Sequence, residues 1–253
     1  MLQDGRTSFP MDYDAYAPTY SWARKAVPWV LEPLLRSCST LSTGASVLEI
    51  GCGTGNYISA LADNRRDLRC FGFDLSGAML AEASSRDSHV VFTEGDASRQ
   101  FPFPEATFAY AFAVDVIHHI DDLTTFFAEA HRTLVPGGRL AVVTDSENTF
   151  RRRSLTAFFP EILAIELARY PSVPSLHTAA DQAGFLRLSE EEVMGRIPID
   201  QDFLQRLEAK CSSAMRLLEP AAHAAGMMRV RAAGQEGRHW VSCYEVLLYA
   251  RPH

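Results

Sequence analysis

Lysine is nearly missing from this chain. Only Lys25 and Lys210 stand among 24 basic residues, which face 31 acidic ones. The net charge of −7 argues against a dedicated nucleic-acid binder, because phosphate contacts need a basic face, but it leaves room for a local basic pocket. Paired cysteines are missing as well. Cys38, Cys52, Cys70, Cys211 and Cys243 are scattered, with no CxxC pair and no histidine at metal-ligand spacing. That pattern reads as reduced thiols in a cytoplasmic protein without a metal site. No apolar run reaches the ~18 residues of a membrane span. Asp4 and Arg6 interrupt the opening segment before any signal-like apolar stretch. What remains is an ordinary globular composition, 47% hydrophobic and 22% charged. Its 253 residues suffice for one α/β domain and are short for two.

Short apolar runs alternate with helical stripes through the first two thirds. Ser46–Ile50, Cys70–Phe73, Val90–Phe92, Phe108–Val114 and Leu140–Thr144 read as strands. Behind them Tyr57, Ile58, Leu61 and Ala62, then Met79, Leu80 and Ala83 after a Ser76 cap, recur at helical spacing. So do Leu123, Phe126, Phe127, Ala130 and Leu134, where Pro136-Gly137-Gly138 is expected to stop the helix. This alternation predicts a doubly wound parallel α/β sheet with its crevice at the carboxyl ends of the strands. Two further strands are expected, near 186–193 and 240–250. An N-terminal helical cap spans 9–40, its second helix broken by Pro28 and Pro33. Helical insertions near 146–175 and 200–235 follow strand ends, where they can roof the crevice as a lid over one domain.

The most informative stretch is Val47-Leu-Glu49-Ile-Gly51-Cys52-Gly53-Thr-Gly55-Asn56-Tyr57. Glycines between a strand and a helix let the backbone turn sharply and approach a ligand. A dinucleotide fingerprint needs its third glycine where Asn56 stands. Glu49 also puts a carboxylate near the place of a pyrophosphate. A neutral or cationic ligand is favoured over NAD. Asp74, at the end of the second strand, suits the two hydroxyls of a ribose. Asp96, in Gly95-Asp96-Ala97, suits an exocyclic adenine amine.

Together with Val-Ile-His-His-Ile and Leu-Val-Pro-Gly-Gly-Arg-Leu, these pieces resemble class I S-adenosylmethionine (SAM)-dependent methyltransferases. The likeness is to the type 11 group, and it runs from about Tyr13 to Thr144. It implies a Rossmann-like seven-stranded sheet, SAM as cofactor and a small-molecule acceptor. It implies cofactor contacts from Glu49, Gly51, Cys52, Gly53, Gly55, Asn56, Asp74, Leu75, Met79, Gly95, Asp96, Ala97 and Val114. Tyr13 and Tyr20 look like the aromatic segment that folds over the methionine end, with packing against the sheet as the other reading. Ala109 departs from the Asp common in relatives, which bears on local packing.

Methyl transfer from a sulfonium is an in-line displacement, and it needs a base when the acceptor must lose a proton. His118 and His119 stand just past the fourth strand, and a rate rising through the ordinary imidazole pKa is expected if one is that base. Each can instead cap or pack. Asp145 can orient a histidine or sit as a solvated strand end. Arg151-Arg152-Arg153 reads as a solvated face or as a clamp for an anionic acceptor. His131 is expected in solvent, while His177, His223, His239 and Trp240 lie in or beside the insertions. A nucleic-acid or protein methyltransferase lacks the expected Asn/Asp-Pro-Pro-Tyr/Phe tetrad, Pro-Cys pair and basic surface. A catalytically silent SAM-binding module is the remaining alternative. Oligomeric state has no sequence signature here.

Overall fold

The computed structural model describes residues 12–87, 89–210 and 212–253. Positions 9–11 of the expected cap, and Cys211 in the second expected insertion, lie outside them. The chain begins with α1 (Tyr13–Ala23) and α2 (Pro28–Ser37). It continues as β1 (Ser46–Ile50), α3 (Asn56–Asn64), β2 (Arg69–Asp74), α4 (Gly77–Arg86), β3 (Val90–Glu94) and β4 (Phe108–Val114). A single 3-10 turn, Ile117–His119, leads to α5 (Leu123–Thr133) and β5 (Leu134–Thr144). Then come α6 (Glu147–Arg152), α7 (Ser154–Phe158), α8 (Glu161–Arg169), α9 (Val173–Gln182) and β6 (Leu186–Pro198). The chain closes with α10 (Gln201–Glu208), α11 (Ser213–Arg216), α12 (Pro220–Gln235) and β7 (His239–Ala250).

The strands form one seven-stranded sheet in the order β3-β2-β1-β4-β5-β7-β6. The expected parallel sheet needs one correction: β7 runs antiparallel to both β5 and β6. Strand β1 is buried along its whole length, as a parallel strand covered on both faces must be. Its alternate side chains feed two layers. Leu48 and Ile50 pack with Phe126, Phe127 and Leu176, while Val47 packs with Val30, Leu34, Ile58 and Leu61. Chain order reverses between β1 and β4, which opens a crevice at their carboxyl ends.

Several local expectations change. Pro28 does not break α2 but starts it, where its missing N–H costs nothing. Pro33 and Pro18 sit inside α2 and α1 without ending them. Pro136-Gly137-Gly138 lies within β5, beside a register shift against Phe108 and Tyr110, and α5 has already stopped at Thr133. The triplet shapes the start of the strand. His131 is half-buried, edge-on to Phe185 with ring centroids 5.2 Å apart. The two stretches read as insertions fold into α6–α8 and α10–α12. They share one apolar cluster that includes Leu155, Phe159, Phe203, Met215, Val230 and Trp240. No helix among the described residues is long and apolar enough to cross a membrane.

Candidate active site

A cavity of about 450 Å³ opens at the crevice, within the size range of small-molecule sites. Every residue expected to touch the cofactor lines it except Gly55. The glycine loop explains the difference. Gly51, Gly53 and Gly55 all hold left-handed φ values, of 66°, 51° and 72°. A Cβ on Gly53 would come no closer than 3.8 Å to Tyr20, so its backbone faces open space. A Cβ on Gly55 would meet Phe92 at 2.8 Å. Gly55 is therefore the N-cap of α3, pressed against β3, and its role is in packing.

The acidic groups are held by backbone donors. Glu49 is buried and accepts the Ile58 N–H, in the first turn of α3, at 2.9 Å. Burial pushes its carboxyl well above the usual range. Asp74 accepts the Gly53 N–H at 2.7 Å on one oxygen and the Ser76 N–H at 3.0 Å on the other. The lone pairs left on those two oxygens suit two adjacent hydroxyls. Asp96 accepts from the Ser98 N–H at 2.8 Å and from Arg99 at 3.1 Å. Leu75 lines the cavity yet is 68% exposed, an apolar surface that a nucleoside base would cover. Left-handed glycines, a two-oxygen acceptor and an uncovered apolar wall fit a nucleoside with a short, uncrowded tail.

On the other side of the cavity lies the histidine pair. His118 is buried, and neither ring nitrogen has a hydrogen-bond partner among the described residues. Its ring stacks on Tyr170, with centroids 4.1 Å apart and planes 19° apart. His119 is tilted beside it at 4.0 Å, and its Nε2 lies 2.7 Å from the Tyr13 hydroxyl. Tyr13 thus has a histidine partner on the cavity wall, where a cofactor-carboxylate contact was expected. Burial lowers His118 well below its ordinary pKa, and burial with help from Arg169 lowers His119 to about 4. Both are neutral near pH 7. The expected limb at the ordinary imidazole pKa is therefore displaced to acid.

Asp145 departs from expectation in both directions. It is fully buried, orients no histidine, and instead accepts from Arg153 at 2.7 Å and Thr149 at 3.0 Å. Burial lifts its carboxyl to about 7 against the pull of Arg153. The arginine run divides. Arg151 pairs with Glu147, and Arg152 with Glu192, both on the exposed face. Arg153 turns inward to bridge Asp145 and Glu166, at 2.7 Å each. Helical spacing marks it, since Arg153 lies four residues after the buried Thr149.

Sequence reading missed three groups on the same wall. Asp115 follows β4 with a left-handed φ of 55°. It pairs with Arg24 at 2.5 Å and accepts from Tyr170 at 3.4 Å. These contacts span 91 and 55 residues, and no local pattern announces them. Of the aromatic and histidine residues near the insertions, Trp240 lines the cavity. His177 is bound instead to Glu190 and the Tyr249 hydroxyl, at 3.0 and 3.1 Å, and His223 stacks on Phe159.

An open α/β sheet with left-handed glycines and the two-oxygen Asp74 acceptor at its switch point has the form of a Rossmann-like nucleoside site. Residues 48–142 match the type 11 family described as a methyltransferase domain. The chain is 28% identical over 197 residues to 2-phytyl-1,4-naphtoquinone methyltransferase of Thermosynechococcus vestitus, covering 69% of this chain and 83% of that protein. It is 34% identical over 108 residues to 27-O-demethylrifamycin SV methyltransferase of Amycolatopsis mediterranei, covering 40% of this chain. That second alignment spans only 39% of the rifamycin enzyme's length. The fold is shared with phosphoethanolamine N-methyltransferase 2 of Haemonchus contortus, solved with phosphomonomethylethanolamine and S-adenosylhomocysteine. The TM-score is 0.62 at 20% identity, covering 95% of this chain and 58% of that one. Residues 48–142 thus carry the type 11 methyltransferase match, and the chain is similar to class I SAM-dependent methyltransferases.

Proposed function

We propose that the protein methylates a small-molecule acceptor held between the strand ends and the helices α6–α8 and α10–α12, with His118 as general base. The observation that carries this reading is the buried, unpartnered His118 ring on the wall of the cavity that also holds the nucleoside cradle. When bound, SAM supplies an electrophilic methyl on a sulfonium, so transfer needs an aligned acceptor lone pair and a place for the acceptor's proton. Asp74 takes the ribose hydroxyls, Asp96 the adenine amine, and Leu75 and Met79 the faces of the base. Tyr170 holds the His118 ring in plane, while Tyr13 occupies the Nε2 of His119. His118 is therefore the histidine with both nitrogens available. The helical stretches act as a lid that selects the acceptor and leaves the cofactor contacts alone.

A panel of candidate acceptors incubated with methyl-labelled SAM, followed by location of the label in the product, tests the reading. Transfer to a small molecule is expected. Binding of NAD in place of SAM, or labelling of protein or nucleic acid alone, would overturn it.

A further inference from the structure

Resting on that reading, we infer that the acceptor is an uncharged molecule with a largely apolar frame that presents an acidic hydroxyl, a phenol or an enol, to His118. The wall of the acceptor compartment comes from separate stretches that converge. Leu155 on α7, Ile197 on β6, Phe203 and Leu207 on α10, Met215 on α11 and Trp240 on β7 all line the cavity and belong to one apolar cluster. A charge pressed against that wall loses its water and gains nothing in exchange.

The charged groups beside it arrive already neutralised. Arg24 is paired with Asp115 at 2.5 Å, Arg153 with Asp145 and Glu166 at 2.7 Å each, and Arg206 with Asp202 at 2.9 Å. An anionic acceptor would have to pull a guanidinium from its carboxylate, and an ammonium would have to pull a carboxylate from its guanidinium. At Arg153 either exchange strands a buried charge, because Asp145 and Glu166 are buried. Lys25, the other cation on the lining, is exposed at the rim.

His118 then selects among neutral acceptors. Both ring nitrogens lack partners among the described residues, so a hydroxyl can donate to one without displacing an existing bond. Burial also weakens the ring as a base, and a weakened base is better matched to an acidic hydroxyl than to an alkyl alcohol. His118 takes the hydroxyl proton as the oxygen lone pair bonds the methyl carbon and the S–CH3 electron pair stays on sulfur. The products are a methyl ether, S-adenosylhomocysteine and a protonated histidine, and atoms and charge balance.

The test uses one skeleton with three head groups. Wild-type enzyme saturated with S-adenosylhomocysteine is titrated calorimetrically at pH 7.5 with 2-naphthol, 2-naphthoate and naphthylmethylammonium. Naphthol should bind at least ten-fold more tightly than either ion. Trp240→Ala, checked for folding by its melting curve, should weaken naphthol at least five-fold while S-adenosylhomocysteine affinity stays within two-fold. Equal or tighter binding of an ion, or no binding of naphthol, overturns the inferred acceptor class and leaves the methyltransferase reading standing. Failure of S-adenosylhomocysteine itself to bind overturns that underlying reading, and the acceptor class with it.

Discussion

The rings of His118 and Tyr170 lie face to face, 4.1 Å between centroids, although they come from the β4–α5 connection and the end of α8. The contact leaves both imidazole nitrogens at the ring edge without a protein partner among the described residues. It also ties the proposed base to the end of α8. Asp115 draws the same tyrosine in, through the 3.4 Å contact from its hydroxyl, and is itself anchored by Arg24 at the end of α1.

Replacing His118 with Ala should lower the single-turnover rate by roughly 10²–10⁴, the usual scale for a general base. SAM affinity should stay within a few-fold. His119→Ala should cost less, since its Nε2 is already engaged by Tyr13. Rapid-quench kinetics and calorimetry on both variants check this. Near-wild-type turnover in His118→Ala would remove the base from the mechanism.

The pH profile should lack a limb between pH 6 and 8 from either histidine. Burial keeps both neutral near pH 7, His119 until the pH falls toward about 4, and holds His118 well below its ordinary value. Stability carries the same sign. Between about pH 6.5 and 4 the unfolded chain binds protons that the folded His119 refuses, so its contribution falls as the pH drops. The raised Asp145 works oppositely, binding its proton in the folded state up to about pH 7. The difference between wild type and His119→Ala isolates the histidine. Urea unfolding at pH 7 and pH 4.5 should show the variant losing less stability on acidification. An equal loss would mean that His119 titrates normally.

Asp74→Ala should weaken SAM binding by about 1.5–3 kcal/mol, the scale for a lost hydrogen bond to a charged group. The protein should remain folded, because the Gly53 amide borders the open cavity, where water can replace the carboxylate. Titration of SAM into wild type and variant reads the difference directly. Unchanged affinity would move the ribose away from this carboxylate.

Arg153→Met should destabilise the fold by roughly 3–5 kcal/mol, because it leaves Asp145 and Glu166 buried without their shared cation. Arg151→Ala and Arg152→Ala, which break exposed pairs, should change stability by about 1 kcal/mol or less. Thermal unfolding of the three variants separates them. Three equal melting points would reduce Arg153 to a surface residue.

The cofactor half was legible because its pieces obey local rules. A buried strand with Glu49 next to its last residue, a left-handed glycine turn and a helix start can be read from a few consecutive residues. Asp74 and Asp96 sit at or just past the ends of strands whose apolar runs are plain. Even there, Gly55 belongs to packing against Phe92, a contact between β3 and the loop that no spacing displays. The prolines of α2 are tolerated for a related reason. Whether a proline breaks a helix depends on its position in the first turn and on the packing that offsets a lost hydrogen bond.

The order of residues alone marked the glycine loop, its acidic partners and the class of sheet, because backbone conformation and strand periodicity act over short stretches of chain. The other side of the cavity is a product of packing. Asp145 turned from a candidate orienter into the partner of Arg153, and Asp115 found Arg24 and Tyr170 far along the chain. The histidines lost their ordinary pKa values once the surrounding helices closed over them. Charge pairing and desolvation depend on which distant groups share a low-dielectric space, and only the assembled helices and strands set that.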